Sequence, residues 1–264
     1  MKKFIVTSLL SAAVCLTTAQ AESDALPPKK IDFSFDGHTG TFKRDELQRG
    51  FEVYKNVCSS CHGLYHLRIG NLQGKGKTIH EIRKSNLGLT KDEVAALAAE
   101  YKVQDLNADG EPIERRATAV DKFPKPYPNQ KAARAANNGA YPPDLSMVVK
   151  ARKGGADYLY SLLTGYQKAP EGVEVGEGRH YNPYFPGGQI SMAQPLHTEG
   201  QVTYSDGTKA TVEQMAHDVT AFLAWASEPE SDDRKEMGIK VLFYLLVMTI
   251  VMYFSKRKIW ADVK

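Results

Sequence analysis

Two cysteines and a histidine stand together at Cys58-Ser59-Ser60-Cys61-His62. Cys-x-x-Cys-His is the attachment signature of a c-type haem. Residues three apart share one face of a helical turn, so both thiols can bond one edge of a single porphyrin. His62 follows at once and can turn a ring nitrogen to the iron as the proximal ligand. Two plainer chemistries compete. Cys-x-x-Cys alone also serves as a dithiol redox centre or as half of a zinc site. Zinc needs two further good ligands, and the third cysteine, Cys15, falls in a segment expected to be removed. A dithiol centre has no need of the histidine. The motif points to one covalently bound haem c, with its iron.

An electron-carrying haem of this type has a sixth ligand, usually Met or His. Met237, Met248 and Met252 lie in a C-terminal apolar run, Met215 suits the apolar face of a helix, and Met147 has no special context. Met192 sits in the irregular, apolar stretch Pro183–Pro195, far downstream, where a loop can wrap a haem and present one sulfur. It is the first candidate, with the other Met and His residues as alternatives. His38, His66, His80, His180 and His197 fall in loops or at element ends. His217 is expected to face outward on the last helix of the body.

The elements that must position these groups read as helices joined by long loops. Leu47, Phe51, Tyr54, Cys58 and Cys61 recur at helical steps, so one apolar stripe leads into the motif and carries both thiols. A second helix is expected over 90–102, with Thr90 and Glu93 as a capping box. Asp105, Asn107, Asp109 and Gly110 imitate the opening of a calcium loop, but Arg116 stands where the bidentate Glu belongs, so the segment reads as an Asx-rich turn. Alternating prolines keep 123–129 out of a helix. A short helix follows and stops at Asn137-Asn138-Gly139. Two more are expected near 144–152 and 155–164, then Gly- and Pro-rich loop over 166–200. Asp206-Gly207 gives a weak hairpin signal between 202–204 and 208–211. The last helix of the body, 212–226, opens with a Thr211–Gln214 capping box. There is no internal repeat.

The termini add targeting. Lys2 and Lys3, an apolar stretch and Ala19-Gln20-Ala21 make residues 1–21 a secretory signal. Residues 237–254 carry one charge, Lys240, and span about 27 Å, near the hydrocarbon thickness of a bilayer. Lys256-Arg257-Lys258 and Trp260 follow, which favours a cytoplasmic tail over 255–264. The chain has 34 Lys and Arg against 31 Asp and Glu. Setting aside Lys2, Lys3 and the five basic residues and Asp262 beyond position 236 leaves 27 basic and 30 acidic residues over 22–236, a net of −3. A mildly acidic exported body argues against nucleic acid and suits a basic protein partner.

Longer runs make the chain similar to the cytochrome c1 family, the haem subunits of ubiquinol–cytochrome c reductase (bc1) complexes. The likeness covers essentially the whole mature chain. It rests on Arg49-Gly50 to Tyr54 leading into Cys58–Gly63, on Phe123-Pro124-Lys125-Pro126-Tyr127-Pro128-Asn129, on Ala132–Gly139 and on Pro142-Pro143-Asp144-Leu145-Ser146. It continues through Leu162–Tyr166, Asn182-Pro183-Tyr184-Phe185-Pro186-Gly187 and Phe222–Glu230.

The resemblance implies Met192 as the sixth iron ligand, and Arg152 and Tyr158 as contacts to the haem propionates. It implies an all-α, class I cytochrome c-like haem domain with long loop insertions over 22–236, and one C-terminal transmembrane helix. The implied role is to take single electrons from a Rieske iron–sulfur protein and pass them to a soluble or membrane-anchored cytochrome c. Cytochrome b and membrane lipid are the other expected neighbours, in a dimeric multisubunit complex. The protein would be no enzyme by itself. The haem domain would be periplasmic on a bacterial inner membrane, with the C-terminus cytoplasmic. The rivals are another anchored cytochrome feeding an oxidase, and a tethered thiol–disulfide oxidoreductase. Two departures stand out. Tyr141 replaces a common Leu, and the disulfide that some bacterial members carry before the ligand Met is missing, so the Met192 loop is expected to be held by packing alone.

Overall fold

The computed structural model describes residues 25–74 and 87–263. The expected signal at 1–21 and His80 lie outside them. Helix α1, Arg44–Val53, leaves an extended Lys43 and places Asp45 and Glu46 in its first turn, where acidic groups suit the helix dipole. It continues without a break into a π-helical turn, Tyr54–Cys58, that delivers the cysteine motif. Such widened turns frequently sit at functional sites. Helix α2 is Lys91–Ala99, and its Thr90–Glu93 capping box is formed in both directions. Helix α3, Gln130–Ala136, starts on the Asn129 side chain and ends at Asn137. Helices α4, Val148–Ala151, and α5, Gly155–Thr164, come next, then α6, Val212–Ser227, and α7, Ser231–Ile259.

The body is built around α6, against which α1, α4 and α5 all pack. The closest approach is between α1 and α6. A Cβ added at Gly50 would lie 2.0 Å from the Asp218 carbonyl oxygen and 2.6 Å from the Phe222 Cβ, so this crossing admits only glycine. Beside it, Arg49 pairs with the fully buried Asp218 at 2.9 Å and with Asp206 at 2.7 Å. Burial alone would raise the Asp218 carboxyl, but the neighbouring His217 ring and the hydrogen bonds from Arg49 and Gln214 bring it below the usual carboxylate range. Leu47, Val53, Tyr54, Met215, Phe222 and Trp225 fill the space between the helices. Phe123 joins the same aromatic cluster, 6.3 Å from both Phe51 and Tyr54, which anchors the proline-rich run.

Several local expectations need correction. Residues 102–116 form an antiparallel hairpin, β1 Lys102–Leu106 with β2 Pro112–Arg116. Its strands are exposed and charged, so they lack the alternation that marks a half-buried strand. The calcium-loop mimic is indeed its turn: Asn107 Oδ1 accepts from the backbone of Asp109 and Glu111, at 2.9 Å each. A second small hairpin, β3 His180–Tyr181 with β4 Gln189–Ile190, lies in the expected loop. Around Asp206-Gly207 there is a turn without paired strands. Helix α4 is shorter than expected, because Asp144 and Ser146 are engaged elsewhere. Only half of the Thr211–Gln214 box forms, since the Gln214 amide turns to Asp218 at 3.0 Å. His217 is not an outward residue: its ring stacks on Phe33 at 4.8 Å.

Helix α7 is a single run of 29 residues. It is long and apolar enough to cross a membrane, with a mean hydropathy of 2.0 and none of that apolar stretch buried in the protein. It contains the expected span 237–254. Its first turns are tied to the body. Asp232 accepts from the Phe42 backbone at 3.1 Å, and Lys235 donates to the Phe35 and Gly40 carbonyls at 2.6 and 2.8 Å.

Two substitutions test the α1–α6 crossing. Gly50→Ala should cost about 3 kcal/mol, the upper end for overpacking, because backbone rather than a flexible side chain opposes the new methyl. Asp218→Asn should cost about 3 kcal/mol at pH 7, the penalty for breaking a buried ion pair. The Asp218 carboxyl is depressed in the folded state, so its contribution is present above the unfolded value near 3.9 and fades as pH falls through the folded one. Urea unfolding should therefore show the gap between wild type and Asp218→Asn narrowing on acidification. A gap that does not change with pH would contradict the ion-pair account.

Candidate functional site

The motif residues stand on one tight turn. The backbone N–H groups of Cys61 and His62 both donate to the Cys58 carbonyl, at 3.1 and 2.9 Å. Both thiols are unpaired and half-buried. Tyr54, the first residue of the widened turn, is buried and donates its phenol to the His62 carbonyl at 3.1 Å. The segment Pro142–Ser146 receives the rest of the turn. The His62 Nδ1 lies 2.7 Å from the Pro143 carbonyl. Leu145 N–H donates to Gly63, Tyr65 N–H to the Asp144 carboxylate and His66 N–H to the Ser146 hydroxyl. The prolines leave 142–146 without a helix of its own, and its side chains serve the motif instead.

This geometry fixes the imidazole. Burial lowers the His62 pKa against the pull of the Pro143 hydrogen bond, so the ring is neutral. Nδ1–H donates to Pro143 and Nε2 keeps a free lone pair, the arrangement a metal-binding histidine needs. The Cys58 thiol behaves differently from a reactive one. Burial, with Cys61 close by, pushes the Cys58 thiol up to about 12. A thiol that stays protonated at neutral pH is a poor nucleophile, which runs against the dithiol reading. Among the described residues no group of three or more His, Cys, Asp or Glu is placed to hold a metal ion. Two free thiols on one turn beside a neutral, oriented imidazole fit covalent haem.

The remaining candidate residues lie between the end of α4 and the Met192 loop. Arg152 ends α4 in the exposed linker before α5. Tyr158 stands on α5, its phenol pushed up by burial and eased by the positive charge of Arg152, so the two groups face one another electrostatically. Tyr166, just past α5, lies in the electrostatic reach of Tyr158. Its hydroxyl donates to the Met192 carbonyl at 3.0 Å. Met192 is half-buried. Met215 is fully buried in the core, Met147 is exposed, and Met237, Met248 and Met252 lie on the exposed face of α7.

The Met192 loop is not held by packing alone. Asn182 is fully buried, and its amide donates to the Leu162 carbonyl in the last turn of α5 at 2.8 Å. Its Oδ1 accepts from Tyr184 N–H at 3.1 Å. The β3–β4 pair closes the loop, and the Gln189 side chain reaches the Glu174 carbonyl and Gly176 N–H. The N-terminal segment adds a strap: Leu26 N–H donates to Pro183, Lys29 N–H to Ser161 Oγ and Ile31 N–H to Asp157. Tyr54, Ser146, Tyr166 and Asn182 thus support the site without having stood out in the sequence. Each acts on a backbone atom remote from it, and no spacing rule records such a partner.

Comparison with known proteins extends this geometry to a family. The sequence pattern of the cytochrome C1 family matches residues 33–263. Cytochrome c1 of Rhodospirillum rubrum is 41% identical over 284 aligned residues, covering 100% of each chain. A mitochondrial cytochrome b-c1 complex catalytic subunit of Candida albicans is 45% identical over 246 residues, 92% of this chain and 81% of its own length. The cytochrome b/c1 protein of Bradyrhizobium diazoefficiens is 43% identical over 267 residues, 94% of this chain, which spans only 37% of that longer protein. With the family pattern running from Phe33 through the motif and the Met192 loop to the end of α7, the chain belongs to the cytochrome c1 family.

Proposed function

We propose that this protein is the haem-carrying, membrane-anchored subunit that moves single electrons inside a cytochrome b-c1 complex, and that Cys58, Cys61, His62, Met192, Arg152 and Tyr158 hold its haem. The carrying observation is the oriented Cys58–His62 turn, with His62 Nδ1 fixed at 2.7 Å by Pro143, within a chain matched to the family over residues 33–263. The subunit is not an enzyme by itself; it breaks no bond in a substrate. We propose a Rieske iron–sulfur protein as donor, a soluble or anchored cytochrome c as acceptor, and a dimeric assembly beside cytochrome b. A relative whose name joins cytochromes b and c1 in one chain supports the last neighbour.

Haem c, when bound, supplies an iron that takes up and releases one electron. Cys58 and Cys61 would fix it covalently through two thioethers. His62 would present Nε2, its donor strength raised by the Nδ1–H bond to Pro143. Met192 would supply a thioether, the ligand that favours the reduced iron and raises the potential. The Arg152 guanidinium and Tyr158 phenol are suited to hold carboxylates through charge-assisted hydrogen bonds. Val57, beside Cys58, and Val148 and Val149, on α4, pack against the hydrophobic core.

The anchor supports a domain division: a signal over 1–21, a haem domain over 22–236, a span over 237–254 and a tail over 255–264. The signal and the Lys256-Arg257-Lys258 cluster support a periplasmic body on a bacterial inner membrane, with the tail cytoplasmic. Lys235 belongs to the body, since it holds Phe35 and Gly40.

Haem staining after denaturing electrophoresis should be positive for the wild type and lost in Cys58→Ala/Cys61→Ala. Met192→Leu should keep the covalent haem but lose the red-edge absorption band of Met-ligated ferric iron, with a much lower potential. An unchanged band and potential would exclude Met192 as a ligand. A chain stopped after Glu236 should leave the membrane as a soluble, haem-bearing body. Retention on carbonate-washed membranes would show a second attachment. Co-purification with a b-type cytochrome separates the bc1 assignment from an oxidase-feeding carrier.

A further inference from the structure

The two proposed axial-ligand residues are secured in the same way and to different degrees. The His62 carbonyl accepts the Tyr54 phenol at 3.1 Å, and the Met192 carbonyl accepts the Tyr166 phenol at 3.0 Å. His62 has other tethers: its ring is held by Pro143, its N–H by Cys58, and Cys61 precedes it. Met192 lies beyond the β3–β4 pair, and among the described residues Tyr166 is the hydrogen-bond donor to its carbonyl.

Tyr166 can act as a support because it is itself fixed. It follows Gly165, where a Cβ would lie 2.4 Å from the Tyr184 ring, so α5 and the 182–188 turn meet in contact at that point. Asn182 joins the same turn to the Leu162 carbonyl. Gln167 N–H donates to the Tyr181 carbonyl at 3.5 Å, which sets residue 166 against β3. The phenol is half-buried, and burial keeps its proton in place, so it remains a donor at any physiological pH. The hydrogen bond runs from the end of a packed helix to the backbone of the proposed ligand.

We infer that Tyr166 is a positioning residue for Met192: its hydrogen bond to the Met192 carbonyl holds the ligand loop against α5 and opposes withdrawal of the sulfur. The inference rests on the proposal that Met192 is the sixth ligand. It also replaces the missing disulfide with a hydrogen-bonded device, a phenol and a buried amide on the two sides of Gly165.

The test is imidazole titration of the oxidised, full-length, haem-loaded protein in detergent, read by loss of the red-edge band. Imidazole can bind only when the sixth ligand leaves, so its apparent dissociation constant reports the cost of withdrawing Met192. Tyr166→Phe keeps the ring and its packing and removes only the donor. It should retain the band and lower the apparent imidazole dissociation constant about twofold to tenfold, the factor that one net hydrogen bond provides. Tyr54→Phe should leave that constant within about twofold of wild type, because it loosens the opposite side. An unchanged constant in Tyr166→Phe overturns the inference, provided that Met192→Leu abolishes the band. An equal fall in Tyr54→Phe also overturns it, by showing general loosening of the domain. Persistence of the band in Met192→Leu defeats the ligand assignment instead.

Discussion

The meeting of α1 and α6 at Gly50 is the constraint on which the site depends. Backbone touches backbone there, with the Asp218 carbonyl where a side chain would otherwise be. Glycine at this position costs helix stability, since it adds backbone freedom to the unfolded chain. The compensation is a contact that fixes the direction of α1, and with it the widened turn that presents Cys58 to His62. The Arg49–Asp218 pair lies immediately beside the crossing and resists sliding of one helix along the other. Because α4 and α5 pack on the same α6, the Arg152–Tyr158–Tyr166 run is referred to the same helix. The two halves of the site are separate in sequence but share one structural reference.

Between these helices the chain is mostly loop, and a loop near a core must satisfy its own backbone groups. Here that is achieved by side chains reaching back to carbonyls and amides. Tyr54, Tyr166 and Asn182 donate to carbonyls, and Asp144 and Ser146 accept from amides. Such links serve two ends. They remove the penalty of buried unpaired groups, and they fix the loop at chosen points instead of along a ladder. The points chosen are at or beside the proposed ligand residues. A loop-rich body can thus keep a precise centre with little regular structure around it.

How much of this was legible in the sequence follows from the range of each interaction. The Thr90–Glu93 box, the α1 stripe, the stop at Asn137 and the length of α6 came from contacts three or four residues apart, and they stand nearly as read. The exposed hairpin at 102–116 escaped notice because charged strands paired only to each other carry no apolar alternation. His217 was misjudged because Phe33, its stacking partner, comes from the N-terminal strap and no helical wheel includes it. The site was half legible. Cys58, Cys61 and His62 announce their chemistry by spacing, whereas Met192 needed the loop context and the family resemblance. Tyr166 is visible in the sequence only within the Leu162–Tyr166 run, since its hydrogen-bond partner is 26 residues away.

The anchor completes the argument by linking the site to the membrane. Helix α7 rises about 43 Å over its 29 residues, more than the apolar stretch requires. About half of the excess is at its start, where Asp232 and Lys235 clasp residues 35–42. The linker between α6 and α7 is only Glu228-Pro229-Glu230, and Glu228 is itself paired with Lys150 and Arg234. No flexible tether therefore separates the body from its span. A freely tethered body would sample many orientations, and electron transfer would wait for the productive one. In this chain α6 is the common reference for the site, and the three-residue linker together with the clasp on residues 35–42 fixes the base of α7 to the body that carries the haem-binding turn.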